Sequence, residues 1–338
     1  MHNNKLIIVW GTFLLITSIA LGLFLGYQPQ KKLPGNVAEN REQPEAAIDK
    51  QKIKAYVKKL CSTEFKGRRS GTKEDGELAL YLSRELQEMG VSPAGIKNTY
   101  FQTFPLPLTD LRWEGKRLTF YIKDENSNLV ADNILGVIES PLNPDKYILL
   151  SAHYDHLGVY ENRQYPGAND NGSGVASVLE IARVLQEQKE RLPYSVIIAF
   201  WGAEEMGLIG SNYFVGNPTI DLTKIKFNIN LDSIGSGARN DFIIWNSGPQ
   251  EVLRQIYSQW SQWENSNFTR EETNLHSSDH KSLAKANIPS LTILAADWLT
   301  GNHTSADNYI TLNYDKITFL AQNVAGYLSS EKIIPLLQ

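Results

Sequence analysis

Three things the chain lacks narrow its chemistry before any motif is read. It holds one cysteine, Cys61, in 338 residues, which excludes an internal disulfide and a cysteine-based metal cage and leaves a buried structural thiol as the expectation. It has no excess of basic charge: 33 Lys and Arg stand against 37 Asp and Glu, a net charge of −4. That balance gives no electrostatic footing for nucleic acid or for a broadly anionic partner. It also lacks G-x-S-x-G, the P-loop, G-x-G-x-x-G and H-E-x-x-H, so no serine elbow, phosphate cradle or helix-borne zinc pair is written into a local stretch.

Charge is absent from one long run as well. Residues 6–26, "LIIVWGTFLLITSIALGLFLG", carry none, and at 1.5 Å per residue they reach roughly 31 Å, the thickness of a bilayer's hydrocarbon core. The run exceeds the apolar region of a cleavable signal and has no Ala-x-Ala-like exit. The sequence therefore predicts an uncleaved signal anchor over 1–27 with the rest of the chain outside the cytoplasm; secretion after cleavage is the alternative. Residues 28–48 are polar, proline-bearing and aperiodic, as a linker is. The remainder, 49–338, has the length of one α/β domain.

Within that remainder, strand-like and helical patterns take turns. Leu78, Leu82, Leu86 and Met89 share one helical face, and Gly90 is placed to end the helix. "GVASVLEIARVLQEQ" puts Val175, Val178, Leu179, Ala182 and Leu185 on one stripe. "NILGVIES", "KYILLSA", "YSVIIAF", "KFNINLDS", "DFIIWNS" and "SLTILAA" read as strands, and the aromatics of 101–121 read as further short ones. Runs as apolar as "VIIAF" need cover on both faces. The expected fold is α/β: three layers, a mostly parallel mixed sheet with helices on both faces.

The candidate chemistry lies where these strands end, and in open α/β sheets ligands bind beyond the carboxyl ends of strands. "LLSAHYDHLG" places His153 and Asp155 at i and i+2, on one side of the chain, either as an imidazole backed by a carboxylate or as a plain surface ion pair. His156 beside them is expected to face solvent or to stand behind the ligands. "PGANDNGSGVAS" carries Asp170 in a glycine-rich turn, a bound-group contact or a helix cap. "FWGAEEMGLIGS" drives an apolar strand into Glu204 and Glu205, which are metal-facing carboxylates or two solvated glutamates at a helix start. Asp232 leaves the strand "INLDSIG", and His303 follows "SLTILAA".

Taken together these residues suit a pair of divalent metals. Two Zn2+ bring four positive charges; Asp170, Glu205 and Asp232 offset three, a hydroxide the fourth, and His153 and His303 bind as neutral donors. A shared carboxylate can bridge metals about 3.5 to 4 Å apart. Adjacent glutamates cannot easily both reach one metal, so one is expected to ligate and the other to act as general base.

"SAHYDHLG", "GANDNGSGVA", "WGAEEMGLIGS", "NLDSIG", "SSDHKSL" and "HTSADN", in this order, resemble the signature of the co-catalytic zinc aminopeptidases of the bacterial leucyl aminopeptidase and glutamate carboxypeptidase type. The likeness runs from about residue 50 to the C-terminus and includes "EFKGRRSGT". It implies that His153, Asp170 and Asp232 bind one zinc and that Asp170, Glu205 and His303 bind the other. It further implies that Asp155 orients His153, that Glu204 is the base, that the Asp170–Asn171 bond is cis, and that His280 polarises the scissile carbonyl or else pairs with Asp279. The activity implied is removal of N-terminal residues from peptides with a free N-terminus. Two rivals share the fold: a glutaminyl-peptide cyclase with a single zinc, and an ectodomain without catalysis.

Overall fold

The apolar runs of the sequence become the interior strands of one sheet. In this computed structural model the described residues are 47–271 and 277–336, so the predicted anchor and nearly all of the linker lie outside them. Among the described residues no helix is long and apolar enough to cross a membrane. The chain divides into two compact units, and the second, Ala46–Gln338, carries everything that follows.

Helices α1 (Lys50–Leu60) and α2 (Lys73–Glu88) precede the short β1 (Ser92–Pro93) and two long strands, β2 (Phe101–Glu114) and β3 (Arg117–Ile138). Then come β4 (Tyr147–His153), β5 (Gly158–Tyr160), β6 (Arg163–Tyr165), α3 (Gly174–Glu187), β7 (Ser195–Trp201), α4 (Ile209–Gly216) and β8 (Ile225–Leu231). The last elements are β9 (Asp241–Ser247), α5 (Gln250–Trp260), β10 (Asn267–Glu271), α6 (His280–Lys285), β11 (Ser290–Ala295) and α7 (Tyr314–Leu328). Helix α2 obeys its sequence signals: the Thr72 hydroxyl accepts from the Asp75 N–H at its start, and Gly90 takes φ +77° just past its end.

The large sheet runs β1-β3-β7-β4-β8-β11-β9-β10, with β2 beside β3. It is parallel in its centre, where β7, β4, β8 and β11 lie side by side, and antiparallel where β3 joins β7 and β9 joins β11. The sheet is thus mixed, parallel through the middle and again where β10 joins β9 at one edge, with as many antiparallel pairings as parallel ones rather than mostly parallel. Part of the reason is local: a two-residue turn with Gly115 at φ +65° joins β2 to β3, and so tight a link permits only antiparallel pairing. These two strands, of 14 and 22 residues, replace the short ones expected over 101–121. Pro105 and Pro107 do not end β2, because it pairs on one side only and can spare their missing N–H groups.

Strands that are apolar throughout divide their side chains between two cores. Ile148, Leu150 and Ala152 of β4 and Val196, Ile198 and Phe200 of β7 join the core beneath α1, α2, α3, α5 and α7. The alternate residues Leu149, Ile197, Ala199 and Trp201 pack with Phe214 of α4 and Leu283 of α6 on the other face. Two helical layers around one sheet are the three-layer arrangement that the runs demand. Cys61 is half-buried, and burial pushes its thiol up to about 12, away from reactivity.

Gly174 fixes how α3 meets β8, because a Cβ there would collide with the Leu231 carbonyl oxygen and the Asn171 side chain. Gly174→Ala is expected to cost about 1–3 kcal/mol as overpacking. Gly76→Ala, in the exposed face of α2 with nothing near its Cβ, is expected to stabilise by about 0.5–1 kcal/mol. Urea unfolding of the two variants reads both signs; equal midpoints would contradict the packing described.

Candidate metal centre

Four neighbouring parallel strands end on one edge of the sheet, and that alone brings distant residues together. His153 is the last residue of β4, Glu204 and Glu205 follow β7, Asp232 follows β8, and His303 lies in the loop after β11. The link from β4 to β7 runs through α3 on one face of the sheet; the link from β7 to β8 runs through α4 on the other. Connections that leave on opposite faces open a crevice at the strand ends, and Asp170, just before α3, faces into it.

Asp170 stands between two histidines. One carboxylate oxygen, Oδ1, lies 3.3 Å from His153 Nε2, and the other, Oδ2, lies 3.3 Å from His303 Nε2. Asp232 Oδ1 approaches His153 Nε2 at 3.5 Å, while Glu205 Oε2 approaches His303 Nε2 at 2.9 Å. Potential ligand atoms of His153, Glu204 and Asp232 lie within 4.8 Å of one another, and so do those of His156, Asp170 and Glu205. All five predicted ligands and the second glutamate are therefore gathered in one place. Asp170 is no helix cap: the N-cap Ser173 makes no capping bond with its side chain, and it is Asn171 whose Oδ1 accepts from the N–H of Gly174 at the start of α3 and from that of Ser233. The Asp170–Asn171 bond is cis.

Three residues sit differently from their simplest reading. His156 does not face solvent: it is fully buried, with Nδ1 2.7 Å from Glu205 Oε1, so it stands behind the carboxylate of a candidate ligand. Asp155 lies 3.6 Å from His153 Nδ1, too far for a hydrogen bond. Its oxygens accept instead from the backbone N–H groups of Glu204 at 3.0 Å and Glu205 at 3.3 Å, which fixes the loop presenting both glutamates. His280 pairs with Thr292 Oγ1 at 2.8 Å rather than with Asp279. It is not among the residues lining the cavity, and burial, with Lys281 nearby, brings its imidazole down to about 3.

Several supports lie in or beside the sequence motifs, which by themselves assign them no role. Buried Arg68 donates to the carbonyl oxygens of Tyr154 at 2.8 Å and Gly167 at 2.9 Å, and also to those of Leu60 and Pro166. One guanidinium thus ties α1, the segment after β4 and the turn that carries Asp170. Asp307 accepts from the N–H groups of Asn169 at 2.7 Å and Asp170 at 3.0 Å. Asn302 Nδ2 donates to Asp170 Oδ2 at 2.5 Å, and Ser278 Oγ to Asp232 Oδ2 at 2.7 Å. His303 Nδ1 lies 2.7 Å from the Leu118 carbonyl oxygen on β3; a donor there leaves Nε2 free to act as a ligand.

The electrostatics show what this cluster wants. Burial alone would push every carboxyl up and every imidazole down. Against that pull, the His153 and His303 contacts hold Asp170 well below its usual range, and His303 holds Glu205 at about 2. Reciprocally, Glu205 and Asp170 hold His303 up at about 11 in spite of burial, and Glu204 and Asp232 hold His153 well above its usual value. Glu204 differs: burial, reinforced by Asp279, Glu205 and Asp232, drives it well above the ordinary carboxylate range. Protons on the histidines do here what cations would do. Imidazole and carboxylate donors without a thiolate fit zinc or a similar divalent ion.

Above this floor lies a cavity of about 300 Å3 whose walls include Arg117, Leu208, Trp245, Leu294 and Trp298.

Comparison with known proteins places the arrangement. The family model described as "Peptidase family M28" matches residues 133–328. An aminopeptidase of Pseudomonas aeruginosa (strain UCBPP-PA14) is 41% identical over 123 residues, 36% of this chain and 20% of that protein. Aminopeptidase YwaD of Bacillus subtilis (strain 168) is 33% identical over 186 residues, 51% of this chain and 37% of that protein. The matches thus span well under half the length of these curated relatives. Among solved structures, the zinc aminopeptidase BSAP from Bacillus subtilis superposes with a TM-score of 0.66 at 16% identity, covering 83% of this chain and 95% of that one. A leucine aminopeptidase precursor from Bacteroides thetaiotaomicron VPI-5482 gives 0.64 at 22% identity, covering 85% and 99%. At these identities the superpositions speak for the fold.

Arg68 offers the sharpest test of the scaffold. Arg68→Met strands several buried carbonyl groups, each costing about 1–3 kcal/mol, so a loss of at least about 3 kcal/mol is expected in urea unfolding. Arg68→Lys, a point charge without the planar fork, is expected to recover only part of it. An unchanged midpoint for the Met variant would contradict the tie.

Proposed function

Because the chain belongs to peptidase family M28, we propose that it is a zinc-dependent aminopeptidase with a dinuclear centre, taking N-terminal residues from peptides with a free N-terminus. The observation that carries this reading is the position of Asp170, one oxygen turned to His153 and the other to His303. His153, Asp170 and Asp232 would hold one ion; Asp170, Glu205 and His303 would hold the other. When bound, zinc supplies Lewis acidity that lowers the pKa of a water and polarises the scissile carbonyl.

The chain's own residues do the rest. Glu204, held on the loop that Asp155 pins and raised in proton affinity by burial, suits a group that takes a proton from the attacking water and returns it to the leaving amine. Asp155 serves that step by fixing the backbone of both glutamates. The Leu118 carbonyl keeps Nε2 of His303 turned inward, and His156 steadies Glu205 from behind. His280 we assign to positioning through Thr292 and Trp245, whose ring centroid lies 6.4 Å from its own. The apolar run over 6–26 supports placing this domain at a membrane, outside the cytoplasm.

Glu204→Ala is expected to retain two zinc ions per chain by elemental analysis while kcat on aminoacyl anilides falls by about 10²–10⁴; wild-type turnover would remove Glu204 from the mechanism. Chelation should abolish activity and added zinc restore it, with two equivalents needed; full activity at one would favour a mononuclear site. Alkaline carbonate extraction of the full chain should leave it in the membrane pellet, and recovery of intact soluble chain would defeat the anchor.

A further inference from the structure

Resting on the aminopeptidase reading, we propose that Arg117 receives a carboxylate of the substrate and so selects for acidic groups close to the scissile bond. Among the described residues, Arg117 is the one lysine or arginine lining the cavity. It opens β3, directly after the two-residue turn, so the β2–β3 hairpin delivers it to the site. Its neighbour Leu118 is the residue whose carbonyl oxygen lies 2.7 Å from His303 Nδ1, which puts the backbone of Arg117 one residue away from contact with a candidate ligand.

The guanidinium is positioned but unused. It lies over the Trp298 ring at 5.8 Å, and Trp298 meets Trp245 edge-on with centroids 5.2 Å apart, so it stands against an aromatic wall. A cation–π contact of this kind uses none of the guanidinium's N–H donors. Among the described residues no carboxylate forms an ion pair with it, although carboxylates crowd the floor of the same cavity, and its Nε is buried without a hydrogen-bond partner. A buried donor with no partner of its own calls for an acceptor from outside, and the acceptor that matches a planar fork is a carboxylate.

Size limits where that carboxylate can come from. The cavity, about 300 Å3, is at the small end of ligand pockets, and an extended dipeptide spans at most about 7 Å. Two sources fit: the free α-carboxylate of a dipeptide whose amine faces the metal ligands, or the side chain of an N-terminal glutamate or aspartate.

The test compares matched substrates on the zinc-loaded wild type, Arg117→Met and Arg117→Lys. One arm sets Leu-Gly against Leu-Gly-amide; the other sets glutamyl anilide against glutaminyl anilide. We expect wild type to prefer the acidic member of one pair in kcat/KM by about tenfold to a hundredfold, the range of a charge-assisted contact. That ratio should fall to near one in Arg117→Met, mostly through KM, and recover in part in Arg117→Lys. The pair that responds identifies the source. No acidic preference in either pair, or equal ratios in wild type and Arg117→Met, overturns the proposal.

Calorimetric binding of Leu-Gly, Leu-Gly-amide, glutamate and glutamine to the same proteins separates this from the reading beneath it. Selective, Arg117-dependent binding without turnover would leave the carboxylate site standing and sink the peptidase. Turnover without selectivity would do the reverse.

Discussion

Mutual repulsion among buried carboxylates is the constraint around which this molecule is arranged. Asp170, Glu205, Asp232 and Glu204 share a small volume largely out of water with three imidazoles, those of His153, His156 and His303, turned toward them, and like charges so close in a poorly screened site resist ionising together. The cluster answers in two ways. It keeps protons on His153 and His303 well past their ordinary range, and it pushes Glu204 toward its neutral form. Divalent cations would answer the same demand more fully, neutralising ligand carboxylates and leaving the imidazoles as neutral donors.

Such an arrangement has to be enforced from outside, and the fold does so with groups that are individually ordinary. The parallel centre of the sheet supplies a common edge for His153, Glu205 and Asp232. Arg68 gathers carbonyls from three segments around the Asp170 turn, Asp307 grips the backbone of that turn, and Asn302 and Ser278 hold an oxygen of Asp170 and of Asp232 respectively. Asp155 performs a quieter task than a partner to His153 would, since by fixing two backbone N–H groups it sets the relative aim of Glu204 and Glu205. The hairpin then closes one side, touching His303 through Leu118 and contributing Arg117 to the cavity wall.

The parts of this picture that could be read from the sequence are those tied to strand periodicity. "YILLSAH" and "SVIIAFW" declare buried strands, so the polar residues following them had to lie at one edge of a sheet, and His153, Glu204, Glu205 and Asp232 do. The helix stop at Gly90 and the turn before Gly174 were legible for the same local reasons. What stayed hidden depends on partners far along the chain. Arg68 is one arginine of a basic "GRRSG" until carbonyls from 60, 154 and 167 surround it. Asp307 sits in a polar loop 137 residues from the N–H of Asp170. The length of β2 and β3 was masked by Pro105, Pro107 and a polar tip, and with it the presence of Arg117 in the cavity. For His156 the choice between facing solvent and standing behind the ligands stayed open because nothing in "HYDHLG" says that Glu205 will cover it, and the partner of His280 proved to be Thr292.

The central claim is that two cations occupy the gap on either side of Asp170. Crystals grown with zinc, measured on both sides of the zinc absorption edge, address it directly. The account predicts two anomalous peaks flanking Asp170, one beside His153 and Asp232 and the other beside Glu205 and His303. A single peak, or peaks only at the protein surface, would contradict it.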